Sequence, residues 1–154
     1  MGDSRRYVFR SVWRVPADRR DVYNVLADIE RYPLWWPEVR GIRGIDERRV
    51  ATECRSLLPY SLHFVMVRGH EDPDTGVLEA LLFGDLEGFA RWQLTTVRGG
   101  TRCSYDQEVR THKGWLDVLA PVARPAFRAN HWLMMRHGER GLRTYVAGYQ
   151  TGRR

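Results

Sequence analysis

Four polar side chains in the second half of the sequence could carry acid–base or hydrogen-bonding chemistry. His131 and Asn130 are neighbours in a segment with helical periodicity, and Tyr105 and Gln107 share one face of a strand-like segment. A histidine, with a reference pKa of about 6.5, can act as an acid, a base or a hydrogen-bonding anchor. The sequence supplies no certain nucleophile or orienting carboxylate for His131. Two interpretations therefore stay open: catalytic or ligand-binding groups, or hydrogen-bonded core residues.

The other reactive residue types do not predict a metal site or a cofactor. The five histidines are scattered without an HExxH or paired-carboxylate pattern. Cys54 and Cys103 stand alone, which favours reduced thiols packed as small hydrophobic residues. The glycines of the run 84–88 lie between two strand-like segments, and no helix follows them to hold a phosphate. We expect neither a metal nor a cofactor.

A helix over residues 122–149 would position His131 and Asn130. Pro121 and Pro125 mark its first turn, and Gly148 marks its end. Its inward arc, set at helical spacing, is predicted to hold Ala123, Phe127, His131, Met134, Gly138, Leu142 and Tyr145, with Asn130 at the margin and Arg136, Glu139, Arg140 and Arg143 opposite.

Three residues of this helix do not fit a simple amphipathic pattern. Gly138 and Gly141 each cost about 1 kcal/mol relative to alanine, which predicts a close approach of another segment or room for a ligand. Trp132 falls on the charged face, where a large aromatic residue is unexpected. It is expected either to pack under the N-terminal strand or to mark a homodimer contact.

Seven strand-like segments precede the long helix, and the last of them carries Tyr105 and Gln107. They are 7–15, 39–45, 49–57, 61–70, 77–83, 88–97 and 101–110. The turns between the last six are too short for helical crossovers, so the sheet is predicted to be antiparallel. Between the first two strands, Asp18 is predicted to cap a short helix, and a second short helix ends at Pro33. The run 115–120 resembles a helical turn or two leading into the long helix.

A stiff aromatic segment lies between the second short helix and the second strand. Residues 32–39 place Trp35 and Trp36 between Pro33 and Pro37, which favours an irregular bend. This bend is either a hydrophobic plug at the end of the sheet or a wall of a ligand cavity.

A curved sheet that grips one helix predicts an apolar cavity between them. One row of helical side chains cannot fill the concave side of such a sheet. The residues predicted to line the cavity are Trp35, Trp36, Phe64, Met66, Trp92, Tyr105, Gln107, Phe127, Asn130, His131, Met134 and Gly138. With 154 residues, the chain is expected to form one domain, 1–154.

The surface charge is interpreted as a mixed, solvated surface. The net charge is +6, but acidic residues accompany most of the arginines, and Lys113 is the only lysine, a skew typical of a GC-rich genome. We therefore expect no nucleic-acid partner. No apolar run approaches the roughly 20 residues that span a bilayer, and no signal-peptide pattern is present. The chain is expected to be cytoplasmic, without stable membrane insertion.

Several motifs resemble the polyketide cyclase/dehydrase and lipid transport family of the START-like (SRPBCC) helix-grip superfamily. The resemblance is carried by the runs 84–88, 92–94, 119–121 and 138–142, by Gly100-Thr101, Trp115, Phe127, Asn130-His131 and Met134, and by Val15-Pro16-Ala17, Val22-Tyr23, Tyr32-Pro33 and Trp36-Pro37 near the start. It implies an α+β helix-grip fold, with a seven-stranded curved antiparallel sheet wrapped around the C-terminal helix and two short helices between the first two strands.

Three functional hypotheses follow from the predicted cavity, the aromatic bend and the resemblance. Members of the superfamily bind sterols, lipids, quinones, plant hormones and polyketides, and some cyclise polyketone chains. Our first hypothesis is a binding protein for a lipid or polyketide-like molecule. The alternative is a polyketide aromatase/cyclase that uses His131, Asn130, Tyr105 or Gln107 for proton transfer and enolate stabilisation. The third is a quinone-binding helper whose basic surface meets acidic membranes.

Overall fold

The computed structural model describes residues 6–55, 60–112 and 120–151. The described strands are β1 (Arg6–Val15), β2 (Val39–Gly44), β3 (Arg49–Cys54), β4 (Leu62–Asp72), β5 (Val77–Gly84), β6 (Leu86–Val97) and β7 (Gly100–Thr111). The helices are α1 (Arg19–Ala27), a 3₁₀ helix (Ile29–Leu34) and α2 (Ala120–Thr151). The predicted α+β helix-grip fold is confirmed. The end of the predicted third strand and most of the predicted turn at 115–120 lie outside the described residues.

The seven strands form one antiparallel sheet in the order β1-β7-β6-β5-β4-β3-β2. Each pair from β2 to β7 is a sequence-adjacent hairpin, and β1 closes the sheet by pairing with β7. Register shifts interrupt the β2–β3 pair after Val39 and the β4–β5 pair after Arg68. Bulges of this kind increase strand twist and bend, which suits a sheet that curves around a helix.

The short helices follow β1 as predicted. The Asp18 carboxylate accepts a hydrogen bond of 2.9 Å from the Arg20 amide and caps α1. Val22, Val25 and Leu26 are buried on one side of α1. The following 3₁₀ helix ends one residue beyond the predicted boundary.

The buried side of α2 differs in part from the predicted arc. Phe127 and Leu142 are buried as predicted, but Met135 and Val146 are also buried, while Met134 is only partly so. The reason is that the neighbours of α2 change along its length: the cavity near Phe127, then the aromatic bend. A single arc at constant spacing does not describe such a helix.

Polar side chains of α2 cover the free edge of the sheet at β1. The Arg143 guanidinium donates to the Arg14 carbonyl at 2.7 Å, and the Arg14 amide donates to Glu139 at 3.1 Å. Unpaired strand edges invite association with other chains. The charged face predicted for α2 therefore has a structural role at this edge.

Two glycines of α2 form a notch into which the aromatic bend docks. A Cβ atom on Gly138 would lie 2.6 Å from Cε2 of Trp36, and one on Gly141 would lie 1.7 Å from the Trp35 carbonyl oxygen. The Trp36 indole N–H donates to the Met134 carbonyl at 2.9 Å. Of the two interpretations of these glycines, the structure shows the close approach. We call Gly138 and Gly141 the glycine notch.

Gly138→Ala is expected to destabilise the protein by about 1–3 kcal/mol, because the added methyl group overpacks the notch against Trp36 and Trp13. Gly148 is the matched control: it lies in the same helix with nothing within 4 Å of its Cβ position. Gly148→Ala should therefore gain up to about 1 kcal/mol from helix propensity. Urea denaturation of both variants measures the two changes. Equal stabilisation by the two substitutions would contradict the close packing.

Candidate ligand-binding cavity

A mostly apolar cavity of about 100 Å³ lies between the concave face of the sheet and the first half of α2. Its wall consists of Phe9, Tyr32, Trp36, Val39, Ile42, Thr52, Cys54, Leu62, Phe64, Met66, Leu82, Leu86, Ala90, Tyr105, Gln107, Phe127, Asn130, His131 and Met134. The alternating pattern of the strands explains this wall, because Leu62, Phe64 and Met66 point to the same side of β4.

The structure brings nine of the twelve predicted lining residues to this wall. They are Trp36, Phe64, Met66, Tyr105, Gln107, Phe127, Asn130, His131 and Met134. Tyr32, Thr52 and Ala90 also line it but were not predicted. Strand alternation could have identified Thr52 and Ala90, whereas Tyr32 lies in a 3₁₀ helix that has no such pattern.

Three predicted lining residues lie elsewhere. Trp35 faces a surface pocket on the outer side of the bend, together with Glu38 and His137. Trp92 packs between Trp13 and Tyr105, at ring distances of 4.7 and 4.5 Å, and borders a smaller neighbouring cavity. Gly138 is covered by the indoles of Trp36 in the bend and Trp13 on β1.

A short hydrogen-bonded chain joins three of the four polar residues. The Tyr105 hydroxyl donates to Oε1 of Gln107 at 2.9 Å, and Nε2 of His131 lies 3.0 Å from the same oxygen. An amide oxygen only accepts hydrogen bonds, so Nε2 of His131 carries the proton and Nδ1 keeps its lone pair. The imidazole stacks on Phe9, with ring centroids 3.7 Å apart. Both partners of Gln107 are thereby fixed in orientation.

The Gln107 amide nitrogen remains available to a ligand. It donates no hydrogen bond to any residue that the structure describes, although Gln107 is only 7% exposed and lines the cavity. The hydroxyl of Thr52, on the opposite part of the wall, likewise has no partner among the described residues. The Thr52 hydroxyl is fully buried, and a buried polar group without a partner is costly, which favours a ligand or water that completes its hydrogen bonds.

Burial keeps the wall electrically neutral. Desolvation lowers the pKa of His131 to about 4, and it raises the pKa of Tyr105 far above its usual value. Desolvation also raises the pKa of Cys54 to about 12. No arginine, lysine, aspartate or glutamate is among the described lining residues. The wall therefore carries no formal charge at neutral pH.

No group of three or more metal-ligating side chains occurs within the described ranges 6–55, 60–112 and 120–151. Over the same ranges, no helix is long and apolar enough to cross a membrane. The two cysteines are free and buried, as predicted.

Comparison of the sequence with protein-family models identifies the family of this chain. The model described as polyketide cyclase/dehydrase and lipid transport matches residues 15–132. The chain belongs to this family. The predicted family is thereby confirmed, and the family and its structural neighbours fit either hydrophobic-ligand binding or polyketide cyclisation. No curated protein sequence matches the chain.

Solved structures share the fold of this cyclase/dehydrase and lipid transport family member at low sequence identity. The Zhui aromatase/cyclase from Streptomyces sp. R1128 is 15% identical, with a TM-score of 0.78, over 92% of this chain and 94% of that one. A START superfamily protein from Mycobacterium smegmatis is 16% identical, with a TM-score of 0.74, over 92% and 98%. The di-domain aromatase/cyclase StfQ of the steffimycin pathway is 14% identical, with a TM-score of 0.74, over 96% and 53%. These likenesses show the fold.

His131→Phe is expected to flatten the pH dependence of stability between about pH 6.5 and pH 4. The native pKa of about 4 lies below the unfolded value of about 6.5, so only the unfolded chain binds this proton in that window. Stability must then fall as pH falls, by about 3 kcal/mol in the wild type. Phenylalanine keeps the stack on Phe9, and Tyr105 still donates to the Gln107 oxygen.

Urea denaturation at a series of pH values checks this difference. His70→Gln is the control, because His70 is exposed and lies outside the cavity wall, so this variant should keep the fall in stability caused by His131. If His131→Phe loses the same free energy as the wild type between the two pH values, the imidazole is not buried in its neutral form.

Proposed function

We propose that this chain binds a neutral hydrophobic molecule with a carbonyl or similar acceptor group in the cavity between sheet and helix. The observation that carries the proposal is that the Gln107 amide nitrogen has no hydrogen-bond partner among the described residues, in a mostly apolar wall without formal charge. An amide N–H that faces a cavity fixes the orientation of a ligand acceptor, while the apolar wall buries the rest of the ligand.

The neutral wall favours an uncharged ligand over a free fatty acid. Transfer of an isolated carboxylate into an apolar site is strongly unfavourable unless a charged partner compensates it. No cationic side chain is among the described lining residues, and His131 stays neutral above about pH 4. Ketones, esters, amides and quinones meet this condition.

The cavity must enlarge to hold a ligand of ordinary size. Its volume of about 100 Å³ is below the roughly 300 Å³ of pockets that hold drug-sized ligands. Met66 and Met134 line it, and methionine side chains adapt readily to irregular volumes. We therefore expect binding to move these two side chains first.

One neutral and one anionic fluorescent probe test the proposal. The naphthyl ketone prodan should bind with a blue-shifted emission, whereas the anionic anilinonaphthalene sulfonate should bind at least ten-fold more weakly, since each tenfold step corresponds to about 1.4 kcal/mol. Tighter binding of the anion would overturn the proposal of a neutral ligand.

Ala90→Leu is expected to weaken prodan binding about ten-fold or more, because the larger side chain enters the cavity wall. Ala51→Leu is the matched control, since Ala51 neighbours Thr52 on β3 and so points to the opposite face of the sheet. Titration of prodan fluorescence on both variants, together with their denaturation midpoints, measures the effect. Equal binding by the two variants would place the probe outside this cavity.

A polyketide aromatase/cyclase is the second candidate, supported by the family description and by the lone pair that the hydrogen-bonded chain leaves on Nδ1 of His131. A neutral imidazole beside a carbonyl anchor could accept a proton from the carbon next to that carbonyl. His131→Phe should then abolish cyclised product in a reconstituted polyketide synthase and spare prodan binding. An unchanged product profile would favour binding alone.

A further inference from the structure

The outward side of the first half of α2 exposes an apolar stripe. Val122 is 73% exposed and Trp132 is 63% exposed, and both lie on this side. Pro125, Ala126 and Ala129 are exposed between them. We call these five residues the outer stripe. Exposed apolar patches of this kind mark interaction sites more often than isolated exposed residues do.

The outer stripe lies in a segment with positive charge only. Residues 120–138 contain three arginines and no acidic residue. Arg128 and Arg136 are exposed, and neither forms an ion pair with a described acidic residue. Instead, the Arg136 guanidinium lies 5.6 Å from the Trp132 ring, and that of Arg128 lies 6.0 Å from the Tyr7 ring.

Several exposed arginines of the sheet and its turns do form ion pairs. Arg6 pairs with Glu108, Arg10 with Asp106 and Arg49 with Asp46. Arg128 and Arg136 form no such pair among the described residues, so their charge is left for an external anion. Because these arginines alternate with apolar side chains, they favour an anion that also offers an apolar phase.

We propose that the outer stripe docks on an anionic membrane surface, with α2 lying in the plane of the interface. Tryptophan prefers the boundary between headgroups and acyl chains, and arginine pairs with phosphates there. A nucleic acid would use the arginines, but it offers no apolar phase for Val122, Pro125 and Ala126. The outer stripe runs from Val122 to Trp132, about three helical turns, which suits shallow insertion and not a crossing of the bilayer.

Docking in this orientation brings the cavity to the membrane. The same half of α2 lines the cavity on its inner side with Phe127, Asn130, His131 and Met134. A ligand taken from or released to the bilayer would then pass beside a helix that already contacts lipid. The docking proposal itself rests only on the outer side of α2 and holds for any ligand.

Co-sedimentation with vesicles tests the proposal. The full chain should sediment with vesicles of equal parts phosphatidylcholine and phosphatidylglycerol, and not with phosphatidylcholine alone. Trp132→Ala should weaken the partition coefficient on the order of ten-fold. The double variant Arg128→Gln/Arg136→Gln should weaken it about 25-fold, at about five-fold for each arginine near an anionic surface.

The matched control is Arg43→Gln/Arg98→Gln, which removes the same charge from exposed positions on β2 and the β6–β7 turn. This control variant should keep most of its binding to the anionic vesicles. An equal loss in the control, or full binding by Trp132→Ala, would overturn the proposal. So would a dimer in sedimentation equilibrium that Trp132→Ala dissociates, because a second copy of the chain would then cover the stripe. Tighter binding to RNA than to the anionic vesicles would also overturn it.

Discussion

The cavity depends on how the aromatic bend is held against α2. Trp36 is part of the cavity wall, and its indole N–H bonds to the backbone of the same helix that forms the opposite wall. This bond can form because Gly138 has no side chain between the indole and the helix backbone. The bend is further attached by the contact of the Glu38 carboxylate with His137. A helix without the glycine notch would keep the bend at a distance and leave this end of the cavity open.

Within the cavity, one acceptor atom organises the polar groups. Oε1 of Gln107 receives hydrogen bonds from Tyr105 on its own strand and from His131 on α2, so strand and helix are joined across the interior. Because the oxygen is used twice internally, the amide nitrogen is the part of this cavity-lining side chain that is left for a ligand. Burial makes His131 a neutral donor in this arrangement and not a cation. The result is a polar anchor that presents hydrogen-bond donors without charge.

The sequence predicted the elements because their periodicities are strong. Strand alternation placed Phe64, Met66, Tyr105 and Gln107 on the inner face, and helical spacing placed Phe127 and His131 opposite them. The prediction of side-chain orientation was less accurate in segments without a regular hydrophobic periodicity. Trp35 and Trp36 are adjacent in an irregular bend and both are buried, and only the tertiary contacts decide that Trp36 lines the main cavity and Trp35 the surface pocket.

Other features depended on contacts that a sequence does not encode locally. The close packing at Gly138 involves Trp13 and Trp36, which are about a hundred residues away along the chain. Trp132 was expected to pack under the N-terminal strand or to mark a dimer contact. The first alternative is wrong, because its side chain is exposed, and the second is untested. Met135 was missed since the buried side of α2 changes with its neighbours.

The side-chain amide of Gln107 gives the most direct test of a cavity that anchors neutral carbonyl ligands. In a nitrogen-15 correlation spectrum, saturation with prodan should shift the Gln107 side-chain amide pair, with nuclear Overhauser contacts to the probe. The side-chain amide of Gln93, which donates to the Thr75 carbonyl at 2.7 Å, is an internal reference and should not move. An unchanged Gln107 amide, with probe contacts to Trp35 and His137 in the surface pocket, would contradict the account.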